Sequence, residues 1–170
     1  FYEQWGLTLF NNIASSEKSH TDAVLAILST NGIDDPAAGL AIGEFANADL
    51  QALYNDLIAQ GGQSLEAALR VGAEIEEIDI LDLMEELELT ENADIVWMYE
   101  NLLKGSYNHL RAFTRTLNRQ TGESYEPQYL STDLFDEIVN STTNRGIGAG
   151  QQGNGMVGNG NQGGGRRGNR

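Results

Sequence analysis

Two side chains that can carry charge, Glu17 and His20, lie three residues apart in the sequence run EKSH. At about 100° per residue, this spacing places both on one side of a helix, one turn apart. The same side of the predicted helix, residues 7–31, is otherwise apolar, with Phe10, Ile13, Val24 and Ile27. A carboxylate and an imidazole that face an apolar interior cost free energy unless they pair with another group or bind a metal ion.

Two further predicted helices direct ionisable side chains inward. In residues 65–89, a helical wheel places Glu76 and Asp79 inside the apolar arc, three residues apart, whereas Glu77 falls outside that arc. In residues 93–120, the apolar stripe contains His109, the second of the two histidines in the chain. Three helices are therefore expected to contribute ionisable groups to one interior.

These inward residues predict a metal site. Carboxylates and imidazoles that converge between helices are typical ligands of iron, manganese or zinc. The candidate ligands are Glu17, His20, Glu76, Asp79 and His109. The alternative interpretation is that both histidines are satisfied core residues. The inward carboxylates would then pair with Arg70, Arg111 or Arg115.

The elements that must position these residues predict an all-α fold. Residues 1–5 are interpreted as the last turn of a truncated first helix that Gly6 ends. Asn47 is expected to cap a short helix that stops at Gly61, and a final short helix is expected over residues 133–140. Residues 33–48 carry the run GLAIGEF, which predicts irregular or weakly helical structure.

Charge divides the chain into two parts. Residues 1–141 carry 25 acids and 6 bases, a net charge of −19, and are predicted to form one helical domain. Residues 142–170 carry four arginines and no acid, and predict a flexible basic tail rich in Gly, Asn and Gln. A body this acidic repels nucleic acid and favours cations or basic partners. No apolar run approaches the roughly 18 residues of a membrane span.

The motif EKSH on a long helix, followed by a crossover and an acidic helix, resembles the ferritin-like superfamily of di-iron four-helix bundles. More closely, three runs resemble a bacterial and archaeal ferritin-like family without an assigned function. They are NNIASSEKSHTDAV, LYNDLIAQGGQSLEAALRVGAEIEEIDILDL and YENLLKGSYNHLRAF. The resemblance covers about residues 1–138 and implies a ferritin-like bundle that oxidises or stores iron.

The superfamily pattern has a Glu from each of two helices and a Glu-x-x-His motif from each of the other two. The resemblance implies that Glu17 and His20 form one such motif and that Glu76 is a lone Glu ligand. His109 matches the second histidine, but Ser106 stands where its glutamate is expected, and Asp79 is the candidate replacement. The Glu of the first helix would lie upstream of residue 1.

A structural subunit is the alternative function. The truncated first helix, the departure at Ser106 and the opposite charges of body and tail favour a chain that assembles with its own copies. In this hypothesis the basic tail contacts an acidic neighbour and builds a homo-oligomer or a filament. The Gly/Asn/Gln-rich tail and the lost N-terminus favour a secreted or extracellular location.

Overall fold

The computed structural model describes residues 1–141, and within this range the secondary structure is entirely helical. The helices are α1 (Tyr2–Trp5), α2 (Thr8–Thr30), α3 (Ala48–Gly61), α4 (Leu65–Leu89), α5 (Ala93–Thr121) and α6 (Thr132–Asn140). The predicted all-α class is confirmed. The predicted tail, residues 142–170, lies outside the described residues.

Local signals set most of the helix ends. The Asn47 side chain accepts hydrogen bonds from the backbone N–H groups of Asp49 and Leu50, and caps α3. Ser64, Asn92 and Ser131 cap α4, α5 and α6 in the same way. Gly6 ends α1 with φ 66°, a left-handed conformation that glycine adopts without strain. Residues 31–47 form turns and bends, as the two glycines of GLAIGEF predicted.

The bundle is organised around the contact between α4 and α5. Three residues, 90–92, connect these helices, and the two pack along each other while α3 covers α4 and both α2 and α6 pack on α5. Leu69, Ile80, Leu110 and Leu117 are fully buried in this core. Gly72 of α4 lies directly against the ring of Phe113, so any larger residue would collide with that ring. This close approach brings the carboxylates of α4 near His109 of α5.

Glu77 joins α4 to the segment between α5 and α6. Its side chain is completely buried and accepts a hydrogen bond from the Tyr125 hydroxyl at 2.6 Å. It also accepts hydrogen bonds from the backbone N–H groups of Gln128, Tyr129 and Leu130 at 2.7–3.0 Å. The prediction that Glu77 lies outside the buried arc is wrong, because residues 125–130 fold back over a side of α4 that would otherwise meet solvent.

The short helix α1 is tied to the end of α3. The Trp5 indole N–H donates to the carbonyl of Gly61, and the Gln4 amide donates to the carbonyl of Gly62. The ring of Phe1 lies next to Phe10 of α2, with centroids 5.7 Å apart. None of the helices within residues 1–141 is long and apolar enough to cross a membrane.

We predict that Glu77→Gln lowers the free energy of unfolding by about 2–4 kcal/mol, because an amide nitrogen cannot accept the hydrogen bonds that a carboxylate oxygen accepts. Chemical denaturation followed by circular dichroism measures the change. Glu85→Gln, on the exposed side of the same helix, is the matched control and is expected to change stability by less than about 0.5 kcal/mol. Equal stability of the two variants would contradict a structural role for Glu77.

Candidate metal centre

Three of the predicted ligands meet at one point, each from a different long helix. His109 Nδ1 of α5 lies 2.7 Å from Glu17 Oε1 of α2 and 3.3 Å from Glu76 Oε1 of α4. One donor atom from each residue lies within 4.8 Å of the other two, which is a spacing that can hold a metal ion. Glu76 and His109 are buried, whereas the Glu17 side chain is 41% exposed.

Within residues 1–141, the donor atoms at this point have no well-oriented hydrogen bond, although His109 Nδ1 lies within ion-pairing distance of both carboxylates. Among the described residues, Glu17 Oε1, Glu76 Oε2 and His109 Nδ1 are buried without a properly oriented partner, although the atoms lie close together. An unsatisfied buried polar group costs about 1–3 kcal/mol, and more when it is charged. Two carboxylate oxygens and one imidazole nitrogen that converge in this way are a chemically suitable donor set for a divalent first-row metal ion.

Ser16 orients the His109 ring. The hydroxyl of Ser16 lies 2.9 Å from His109 Nε2, so this contact occupies the far nitrogen and leaves Nδ1 facing the two carboxylates. Such a partner on the second nitrogen is the usual way in which a metal-binding histidine is held in one orientation. The sequence analysis did not predict this role for Ser16, since its partner is on another helix.

His20 lies beside the donor group and contacts it twice. Its Nδ1 is 3.0 Å from Glu17 Oε2, and its ring stacks on the His109 ring with centroids 5.6 Å apart. Gly105 of α5 makes room for this ring, because a Cβ atom at that position would lie 2.5 Å from His20 Cε1. A glycine in the middle of a helix is unfavourable by itself, and this close approach is the physical reason for it.

Asp79 does not belong to the group of three donors. It lines a small cavity, of about 240 Å³, that is also lined by Glu17 and His20. The other lining residues are Asp82, Leu83, Leu102 and Ser106. Ser106, which stands where the resemblance implies a glutamate, is buried and supplies a hydroxyl group instead.

The proposed pairing of the inward carboxylates with arginines is wrong. Arg70 pairs with Glu66 and Glu123, on the other side of α4. Arg111 donates to the carbonyl of Ile138 and to the Ser141 hydroxyl. Within residues 1–141, neither these two arginines nor Arg115 forms an ion pair with the inward carboxylates. The acidic side chains of the site therefore have only histidines as cationic partners.

Burial and mutual contact change the pKa values of the site. Burial raises the pKa of Glu76 to about 7 and that of Asp79 to about 6. Burial lowers the pKa of His109, but the neighbouring carboxylates of Glu17 and Glu76 outweigh it and raise the value to about 9. Burial raises the pKa of Glu17, yet the contacts with His109 and His20 outweigh it, and the net pKa is lowered.

Comparison with known proteins places the chain in a family. The family model described as "Uncharacterized protein domain (DUF2202)" matches residues 1–142. The chain belongs to this family. An uncharacterized protein of Methanocaldococcus jannaschii, MJ0754, is 47% identical over 146 residues, which are 86% of this chain and 78% of the relative.

A solved structure has the same fold as this DUF2202 chain. The crystal structure of the hypothetical protein MJ0754 superimposes with a TM-score of 0.81 at 46% sequence identity. The superposition covers 84% of this chain and 81% of that structure. The family match, over residues 1–142, includes all three donor residues.

We predict that the metal-free protein loses stability as pH rises from about 6.5 to about 9. The pKa of His109 in the folded protein, about 9, exceeds the ordinary value of 6.5, so its contribution is complete below pH 6.5 and disappears as the ring deprotonates. Urea denaturation of chelator-treated protein across this range measures the decrease. In His109→Gln the free energy of unfolding should decrease much less over this pH range. An equally steep decrease in that variant would contradict the role of His109 in the pH dependence.

Proposed function

We propose that this chain is a ferritin-like protein that binds a divalent first-row metal ion through Glu17, Glu76 and His109. The observation that carries the proposal is the convergence of two carboxylates and one imidazole from three helices, whose donor atoms lie within 4.8 Å of one another. Replacing buried ion pairs with apolar residues of similar size is often neutral or stabilising, so packing alone gives no reason for these groups to be charged.

Support for the ferritin-like part comes from the helices that supply the donors. Glu17 and His20 form a Glu-x-x-His motif on α2, Glu76 is a single carboxylate on α4, and His109 comes from α5. This matches the ferritin-like pattern in part, because Ser106 stands where one Glu is expected and the described residues bring no Glu from a first helix into the donor group. With three donors in place of the full set, we expect one bound ion.

Iron is the leading candidate, with manganese and zinc as alternatives, because carboxylate oxygens and imidazole nitrogens suit all three. Bound iron would supply one-electron oxidation chemistry, of the class used for iron oxidation or storage. The residues of the chain hold and orient the ion. Glu17 and Glu76 neutralise its charge, Ser16 keeps His109 Nδ1 directed at it, and His20 fixes Glu17 through Oε2.

Metal binding is tested first by elemental analysis of the protein from its native source and by titration of the metal-free chain with Co²⁺ or, without oxygen, with Fe²⁺. We expect about one ion per chain. Glu76→Gln and His109→Gln should weaken binding by more than about 100-fold, since even loss of a partner behind a ligand costs 10–100-fold. His20→Ala should weaken metal binding less, by about 10–100-fold, because His20 positions the ligand Glu17.

Glu85→Gln is the control for a lost negative charge on α4 away from the site, and it should bind metal as the unchanged protein does. Circular dichroism must show that each variant keeps its helices. Unchanged metal affinity in a folded His109→Gln variant would refute the proposed site.

Assembly through the tail stays a prediction from charge. Residues 142–170 carry a charge of +4 beside a body of −19, and this asymmetry is what favours contact between copies. Deleting residues 142–170 should convert any assembly to monomers in analytical ultracentrifugation, and high salt should weaken it in the full chain. An assembly of unchanged size after the deletion would exclude the tail as the connecting element.

A further inference from the structure

Three acidic side chains line the small cavity beside the donor group. Asp82 is exposed, Asp79 is half-buried, and Glu17 belongs both to the cavity and to the donor group. Asp79 and Asp82 lie three residues apart on α4, so they share one side of that helix. Carboxylates are therefore present at the surface, at the middle and at the inner end of the cavity.

These two aspartates have no charged partner of their own. In the described part of the chain, neither Asp79 nor Asp82 forms an ion pair, and Asp79 accepts no hydrogen bond. The charged groups that face the cavity are Glu17 and His20 of α2, and His20 is already engaged by Glu17 Oε2. Uncompensated negative charge at a partly buried place costs stability, and it attracts cations.

Two buried residues next to Glu17 independently indicate where such a cation would bind. Glu76 and His109 are 3% and 8% exposed. His109 Nδ1 lies 2.7 Å from Glu17 Oε1 and 3.3 Å from Glu76 Oε1, and Glu76 Oε2 has no hydrogen-bond partner among the described residues. A cation that reaches Glu17 from the cavity would meet these atoms next. Leu83 and Leu102 form apolar parts of the cavity wall. Its polar surface comes from the three acidic side chains together with His20 and Ser106.

We propose that Asp79 and Asp82 form an entrance for divalent cations, in which Asp82 captures the hydrated ion at the surface and Asp79 passes it to Glu17. The inference rests on the proposed metal-binding function and gives Asp79 a role in transfer instead of permanent ligation. Each carboxylate can replace part of the water shell of the ion as it moves inward, so that the ion does not lose its whole shell in a single step.

An entrance residue has a kinetic signature that a ligand does not share. Removing an entrance charge mainly lowers the association rate constant and leaves the dissociation rate constant nearly unchanged. Removing a ligand weakens the bound state and mainly raises the dissociation rate constant. Rates and affinity measured on one variant therefore distinguish the two roles.

The experiment is stopped-flow mixing of the metal-free full chain with Co²⁺, combined with equilibrium titration. We expect Asp82→Asn to lower the association rate constant by about three- to tenfold at low salt, with little change in the dissociation rate constant. The difference should shrink in 0.5 M NaCl, where screening is strong. Asp79→Asn should slow binding at least as much and keep the same number of ions per chain.

Asp136→Asn, on the exposed side of α6, removes the same charge by the same substitution away from the cavity and is expected to leave the rates unchanged. Rates in Asp82→Asn equal to those of Asp136→Asn would overturn the entrance. So would a raised dissociation constant with an unchanged association rate, since that result identifies a ligand. Absence of Co²⁺ binding to the unchanged chain would instead refute the metal-binding function, and the entrance with it.

Discussion

The contact between His109 Nδ1 and Glu17 Oε1 is the interaction on which the arrangement of the long helices around the site depends. It joins α2 to α5 in a place where α2 has little other support, because Phe10 and Ile13 are the buried residues of that helix. The same imidazole lies against Glu76 of α4, so one ring links three helices. A change in the charge of this ring therefore alters the contacts that join α2, α4 and α5 at the site.

The helix boundaries followed from the sequence because their causes are local. Asn47, Ser64 and Asn92 cap the helices that follow them, and Gly6 and Gly122 end helices in left-handed conformations. A cap needs only the few residues around it, so a single sequence contains the necessary information. The inward positions of Glu76 and His109 were equally predictable, since helical periodicity depends only on spacing.

The features that the sequence did not predict depend on contacts between distant segments. Glu77 is buried because residues 125–130 return to α4, and no helical wheel of α4 contains that information. The roles of Ser16 and Gly105 appear only when α2 and α5 are placed together, because each of these residues acts on a histidine of the other helix. Periodicity could place Asp79 on the inward side of α4, but it could not show that this residue lines a small cavity together with Glu17 and His20.

Glu76 and Glu77 are consecutive residues whose carboxylates differ in their hydrogen bonding. Both are almost completely buried, yet the carboxylate of Glu77 receives hydrogen bonds from a hydroxyl and three backbone N–H groups, while Glu76 Oε2 receives none from the described residues. Hydrogen-bond donors thus surround the interior carboxylate of Glu77, which has a structural role. At the adjacent residue, Glu76, one carboxylate oxygen has no hydrogen-bond donor among the described residues. The two residues form an internal comparison: hydrogen bonds from four donors satisfy Glu77, whereas the polar contact of Glu76 among the described residues is with His109 Nδ1, 3.3 Å from its Oε1.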